Sequence, residues 1–499
     1  MRHLMTMLTA SACALAISAQ ANAQYFDGRA SGDKDFGQQV DHLLAAQSES
    51  LFGFNGPLES SATADTPRAG TTSPYQVIDL ARGLKARFLT RDAANHADMF
   101  SFYPLENPTH VVFCIESDRA TDASGAPINP SLQTINLKTG KVKTIAYGMD
   151  RCDGIRTTPW NTVLATEESD DGGAYELLNP LESDVFYVTD RGGAGAATIV
   201  DKDGADASEA MIKRTAFASL AYEGLVVLES GVVYFGDELR PGTGKADKDG
   251  GALFKFVPAT PRLNDGAIEN LNQSPFVSGN DFAFRVSCVD NKAQYGQGCE
   301  VGNGDWVQVA AATARDDADA YGATGFYRPE DMDRDPLFEG DGVRFCWTNT
   351  GNESAGHFAE VMCGVDAEPL TALPGSLTAT INRFLEGDEE ANSFDNIAFQ
   401  PGTGNLYVIE DHTHGDVWAC LPDGEDRDIK TDGCLRMLSV RDASAEPTGF
   451  GFSYDGSYAI LSIQHSDPSD FGDTDDIILI EGFKGDRRHH YGRHPKRFW

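Results

Sequence analysis

From about Ser73 onward, short runs of alternating apolar and polar residues recur along the chain. They cover residues 109–115, 225–228, 232–235, 342–348, 405–410 and 458–464. A period of two over four to eight residues predicts strands with one buried face. Several runs share one form: a glycine, then apolar alternation, then an acidic or amide residue. Examples are Gly231-Val-Val-Tyr-Phe-Gly-Asp237, Gly342-Val-Arg-Phe-Cys-Trp-Thr-Asn349, Gly404-Asn-Leu-Tyr-Val-Ile-Glu-Asp411 and Gly456-Ser-Tyr-Ala-Ile-Leu-Ser-Ile-Gln464. Such a degenerate repeat predicts the blades of an all-β propeller with irregular loop insertions. The irregular spacing keeps independent hairpins of a β-sandwich as the alternative. In a propeller, a strand that ends in an acid delivers that side chain to one end of the central channel.

The ends of the chain follow other rules. Arg2 and His3, the apolar stretch 4–17 and Ala21-Asn22-Ala23 form the three parts of a secretory signal peptide over 1–23. No twin-arginine pair lies near the start, which implies export unfolded and metal loading outside the cytoplasm. The protein is therefore expected in the periplasm or outside the cell, without a membrane span. Residues 24–75 read as a polar N-terminal arm with a short amphipathic helix at 40–47. The propeller is expected over 76–482. Residues 483–499 hold Arg487, Arg488, His489, His490, Arg493, His494, Lys496 and Arg497, a basic tail. That tail reads as a strap over an acidic body, with metal capture or membrane-surface binding as alternatives.

Composition narrows the class. A 41% hydrophobic content over 499 residues rules out intrinsic disorder. The 76 acidic residues outnumber the 40 Lys and Arg, so the formal charge is −36. This excludes a nucleic-acid partner on electrostatic grounds, and it repels anionic substrates unless cations invert the local field. Of nine cysteines, Cys13 leaves with the signal. Short spacing pairs Cys288 with Cys299, Cys346 with Cys363 and Cys420 with Cys434. Cys114 and Cys152 are left to form a fourth bridge, or Cys152 serves as a metal ligand.

Common catalytic signatures are absent. There is no Gly-x-Ser-x-Gly elbow, and Gly242-Thr-Gly-Lys245 lacks the upstream glycine of a P-loop. Two Asp-rich loops lack the twelfth-position Glu of an EF-hand. His412 and His414 read as a surface loop rather than a metal pair. What remains is carboxylates in apolar or turn-rich settings. Glu167 and Glu168 end a strand on opposite faces, so one must point inward. Glu223 precedes an apolar strand, Arg328 and Glu330 lie two apart, and Asp395-Asn396 open another strand. Together they suggest a cage for hard cations.

Thr158-Pro-Trp-Asn-Thr-Val-Leu-Ala-Thr-Glu-Glu168 resembles the "TPWGTWLTCEE" segment of PhoX-type alkaline phosphatases. The order continues with Tyr222-Glu-Gly ("HEA"), Gly231 to Glu238, Leu253-Phe-Lys-Phe-Val257 ("LYKFVP"), Arg328-Pro-Glu-Asp331, Asp395 to Phe399 and Glu446-Pro-Thr-Gly449. The resemblance implies a six-bladed propeller with a calcium and iron cluster, hydrolysing a small phosphomonoester. By motif, Glu168, Glu223 and Glu330 become metal ligands, Asp395 or Asp411 completes the cluster, and Arg328 holds the phosphoryl group. The family's iron-ligand cysteine lies in "NCAGG"; here the run is Arg151-Cys-Asp-Gly-Ile155, which departs from it. A surface bridge from Arg328 to Asp331 or Asp333 is the bland alternative for that residue. For the whole chain, the alternatives are a calcium-stabilised non-catalytic binding propeller and a lactonase-like hydrolase.

Overall fold

The computed structural model describes residues 36–66, 68, 73–182, 184–242, 249–286, 301–422, 433–465 and 473–485. The signal-peptide segment, the tail beyond 485 and the Cys288–Cys299 pair lie outside these residues.

The chain is all-β and propeller-like. Among the described residues its hydrogen-bonded sheets number five rather than the six expected from the resemblance. The largest sheet runs from Leu225–Val227 at one end to Pro329–Arg334 at the other. It joins two hairpin runs because Gly302–Val309 pairs with Ala379–Glu386. From each inner strand, antiparallel strands step outward; further out in one sheet, Val142–Tyr147 and Phe186–Asp190 pair in parallel. The inner strands are Ala97–Tyr103, Cys152–Thr157, Leu225–Val227, Pro329–Arg334, Phe394–Phe399 and Ala445–Phe452. Each packs on the next, and the last returns to the first, closing a ring.

The repeat read from the sequence marks one place in this architecture. Gly231, Gly342, Gly404 and Gly456 all have positive φ, from +66° to +91°, in the turn between an inner strand and the second strand. In the remaining two such turns, Asn107 and Asn161 take the left-handed conformation. A tight hairpin needs a residue there that tolerates positive φ, and glycine and asparagine are the two that do so most cheaply.

Ring closure is made by the N-terminal segment. Ile78–Leu80 adds to Cys434–Val440 as the outermost strand of one sheet, and Lys85–Ala94 adds to Thr474–Glu481 in the last. A sheet whose edge strand comes from the other end of the chain ties the ring shut. The helix preceding these strands spans Phe36–Leu51, longer than the stretch 40–47 expected. Phe52 and Phe54, just after it, are fully buried with Met437, Ile480 and Phe483. The segment just after this helix is therefore packed onto strands near the end of the described residues.

Three disulfides form among the described residues. Cys346–Cys363 and Cys420–Cys434 join directly opposed residues on neighbouring strands, as expected. Cys114–Cys152 joins two different sheets. No helix of the described residues is long and apolar enough to cross a membrane.

Candidate metal and anion centre

The centre is built by one local device, repeated around the ring. Just before four inner strands the backbone turns left-handed at a residue that is not glycine: His96 (φ 65°), Arg151 (51°), Arg328 (59°) and Ser393 (53°). Their carbonyls accept the amide N–H of Glu116 (2.7 Å), Glu168 (2.8 Å), Thr350 (3.2 Å) and Asp411 (2.8 Å), respectively. Each of these donors follows the end of a second strand. The Ala221 carbonyl takes the Glu238 amide in the same way, at 2.9 Å. Two residues beyond each of these turns or carbonyls comes an inward carboxylate: Asp98, Asp153, Glu223, Glu330 and Asp395. Glu446, second residue of the last inner strand, supplies the sixth.

The strands also bend at these acids. The register shifts between Ala97 and Phe100, Cys152 and Ile155, Pro329 and Met332, and Phe394 and Ile397. Each shift brackets the inward acid. A bulge breaks strict alternation and re-aims a side chain. A left-handed non-glycine residue costs roughly 1–3 kcal/mol and is commonly found where function requires it.

Two groups of carboxylates have ligand oxygens within 4.8 Å of one another: Asp153, Glu168 and Glu223; and Glu223, Glu330 and Asp395. Glu223 belongs to both. Burial pushes the pKa values of Asp98, Asp153, Glu168, Glu223, Asp395 and Glu446 well up, and neighbouring carboxylates push them further. Burial lifts Glu330 to about 8 despite the Arg328 guanidinium beside it. Asp153 Oδ1 and Glu330 Oε2 are buried with no hydrogen-bond partner. Six inward carboxylates and four from the second ring (Glu116, Glu168, Glu238 and Asp411) make ten, against the guanidinium groups of Arg151 and Arg328. Buried carboxylates at this density call for cations.

Arg328 is held inside this group. Its Nε donates to Glu238 Oε1, and its Nη2 lies 3.1 Å from Glu330 Oε1. The surface bridge to Asp331 or Asp333 does not form: Asp331 instead takes Arg156 at 3.1 Å and the amides of Met332 and Ile397. Arg151 contacts Glu116 at 2.6 Å and also Glu168.

The structure corrects one predicted ligand. Cys152 is bonded to Cys114, so its sulfur offers no thiolate, and its side chain lies in the apolar core with Met149 and Ile155. Its neighbour Asp153 faces the centre instead. The donors present are carboxylate oxygens, which fit hard cations such as calcium; the thiolate ligation of iron implied by the resemblance does not fit these residues.

Strand-end acids sort into two sets. Glu167 turns away from Glu168 onto Arg191 at 2.8 Å. Asp237 pairs with Arg315, and Glu410 with Trp418, His412 and the Asn392 amide. Glu410 outweighs burial and lifts the His412 ring to about 9. The residues that sequence reasoning passed over are Asp98, Asp153, Glu116, Glu238 and Glu446. For all but Glu446, the second residue of its strand, the common signal is an acid two residues beyond a strand-entry turn, or just past a second strand.

The sequence profile of the family described as Alkaline phosphatase PhoX matches residues 130–467. No curated protein matches the sequence. Among solved structures, Pseudomonas fluorescens PhoX in complex with vanadate, a transition-state analogue, is similar with 15% identity and a TM-score of 0.57, covering 87% of this chain and 98% of that one. A protein of unknown function from Dyadobacter fermentans gives 10% identity and a TM-score of 0.40, over 80% of this chain and 99% of its own. A putative gluconolactonase gives 11% and 0.38, over 84% and 98%.

Proposed function

Because this chain belongs to the PhoX family of alkaline phosphatases, we propose that it is an exported, metal-dependent phosphatase that hydrolyses small phosphomonoesters at the carboxylate centre of the ring. One observation carries the reading: two buried carboxylate groups share Glu223, and Arg328 is fixed beside one of them. Counted by inner strands, the propeller has six blades. Glu168, Glu223, Glu330 and Asp395 would hold the cations, with Asp153 as a further ligand and Asp411 beside them. Bound there, hard cations such as calcium would neutralise phosphoryl oxygens and orient a bound water towards the phosphorus.

The protein's own residues do the rest. Arg328 offers a planar fork that matches two phosphate oxygens. Burial works against its charge, but its acidic neighbours Glu330 and Glu238 outweigh that and push its pKa up, so it stays charged at alkaline pH. Glu238, on the Nε edge, fixes the direction of the fork. The Thr350 hydroxyl donates to Glu330 Oε1 and leaves Oε2 free to bind a cation. The Cys114–Cys152 bridge and the signal sequence support a periplasmic or secreted location, where disulfides persist.

Arg328→Lys tests this. Turnover of a phosphomonoester should fall about 100-fold or more, the scale of losing one preorganised charge contact, with metal content unchanged. Glu330→Gln should lower metal content and turnover together. Near-wild-type turnover in both Arg328→Lys and Arg328→Ala would refute the assignment and leave a calcium-stabilised binding propeller.

A further inference from the structure

Arg151 occupies the same place in its blade as Arg328 does in its own. Both precede an inner strand by one residue, both are left-handed, and both carbonyls take the amide that follows a second strand. Each guanidinium touches an acid of one carboxylate group, Arg151 on Glu168 and Arg328 on Glu330. Glu223 belongs to both groups, so each arginine touches an acid that shares a carboxylate group with that residue. They differ in exposure. The Arg151 side chain is 40% exposed, against 16% for Arg328. Arg328 is thus set to hold a group inside the centre, and Arg151 to meet one at its rim.

We propose that Arg151 is a second anion clamp, which binds a carboxylate or a second phosphate carried on the leaving group close to the phosphoryl group. The inference rests on the phosphatase reading and names its substrate class: phosphomonoesters that bear an additional anion. The charge of the molecule makes the claim specific. On a body of formal charge −36, an extra negative charge on the ligand weakens binding unless a fixed cation receives it. A guanidinium with hydrogens not needed by Glu116 and Glu168 is such a cation.

Equilibrium binding of two hydrolysis-resistant ligands, measured by titration calorimetry on the metal-loaded protein, decides this. Phosphonoacetate carries the second anion and methylphosphonate lacks it. The wild type should bind phosphonoacetate about tenfold or more tightly than methylphosphonate, the scale of one charge-assisted hydrogen bond. Arg151→Gln should abolish most of that preference, and Arg151→Lys should retain part of it. No preference in the wild type overturns the inference. A preference that survives Arg151→Gln, with both ligands weakened alike, also overturns it and leaves Arg151 as a group that merely orders Glu168. Metal content measured on the same samples identifies that second role. Turnover of 2-phosphoglycolate against ethyl phosphate is followed in parallel. A binding preference without release of phosphate from either ester would count against the phosphatase reading alone and support the clamp.

Discussion

Removing bound cations should destabilise the whole molecule, and the size of the effect follows from the geometry. Carboxylate oxygens no more than 4.8 Å apart repel by at least about 3.5 kcal/mol per ionised pair at an effective dielectric constant of about 20. Three pairs in one group amount to about 10 kcal/mol, comparable with the entire stability of a typical domain. The metal-free protein must therefore take up protons, in line with the raised pKa of every acid in the two groups. Cations at 100 times their dissociation constants add about 2.7 kcal/mol per site, so two sites give about 5 kcal/mol. With an unfolding entropy of about 2.1 cal/mol/K for each of the 407 described residues, 1 kcal/mol moves the midpoint by about 1 °C. Calcium at saturation should then raise Tm by about 6 °C over a chelated sample in differential scanning calorimetry. Elemental analysis should find at least two divalent ions per chain. A midpoint that chelator moves by less than about 1 °C, in protein that carries no metal, refutes the reasoning.

Other consequences are equally concrete. Replacing both Cys114 and Cys152 by serine should cost about 4 kcal/mol, the chain-entropy value for a 38-residue separation, and lower Tm in calorimetry. Metal content should persist, and its loss without any change in stability would instead make Cys152 a ligand. Asp281 is fully buried, neither oxygen has a hydrogen-bond partner of good geometry, and burial pushes its pKa well up from 3.8. Its folded pKa lies above its unfolded one, so its stability is fully present only below about pH 4 and is lost as pH rises. Asp281→Asn should therefore stabilise the protein at pH 7 relative to the wild type. That gain should vanish in denaturant titrations as pH falls below 4. Gly231→Ala should destabilise on two counts, a positive φ and a Cβ placed 2.5 Å from Pro275, measurable as a drop of a few degrees in Tm.

Local patterns in the sequence carry much of this architecture. Alternation and the glycine before each run mark the second strands, because a hairpin turn needs positive φ whatever surrounds it. Glu168, Glu223, Glu330, Asp395 and Arg328 could be named because they sit in motifs that resemble a family. Asp98 and Asp153 could not, since an acid near a strand start is ordinary in a single strand, and Glu446 sits in a resembling motif that by itself assigns it no role. Only closure of the ring sets six such positions at one end of one channel, and only the bulges at four of them turn the acids inward. Cys152 shows the same limit. Its two readings, ligand or bridge, are equal in one dimension. They separate once folding brings its Cα within 5.0 Å of that of Cys114 on the neighbouring sheet. The equivalence of Arg151 and Arg328 is likewise invisible along the chain, since 177 positions separate them. It is a property of the ring, in which each blade repeats the same backbone turn and so presents its side chain to the same place.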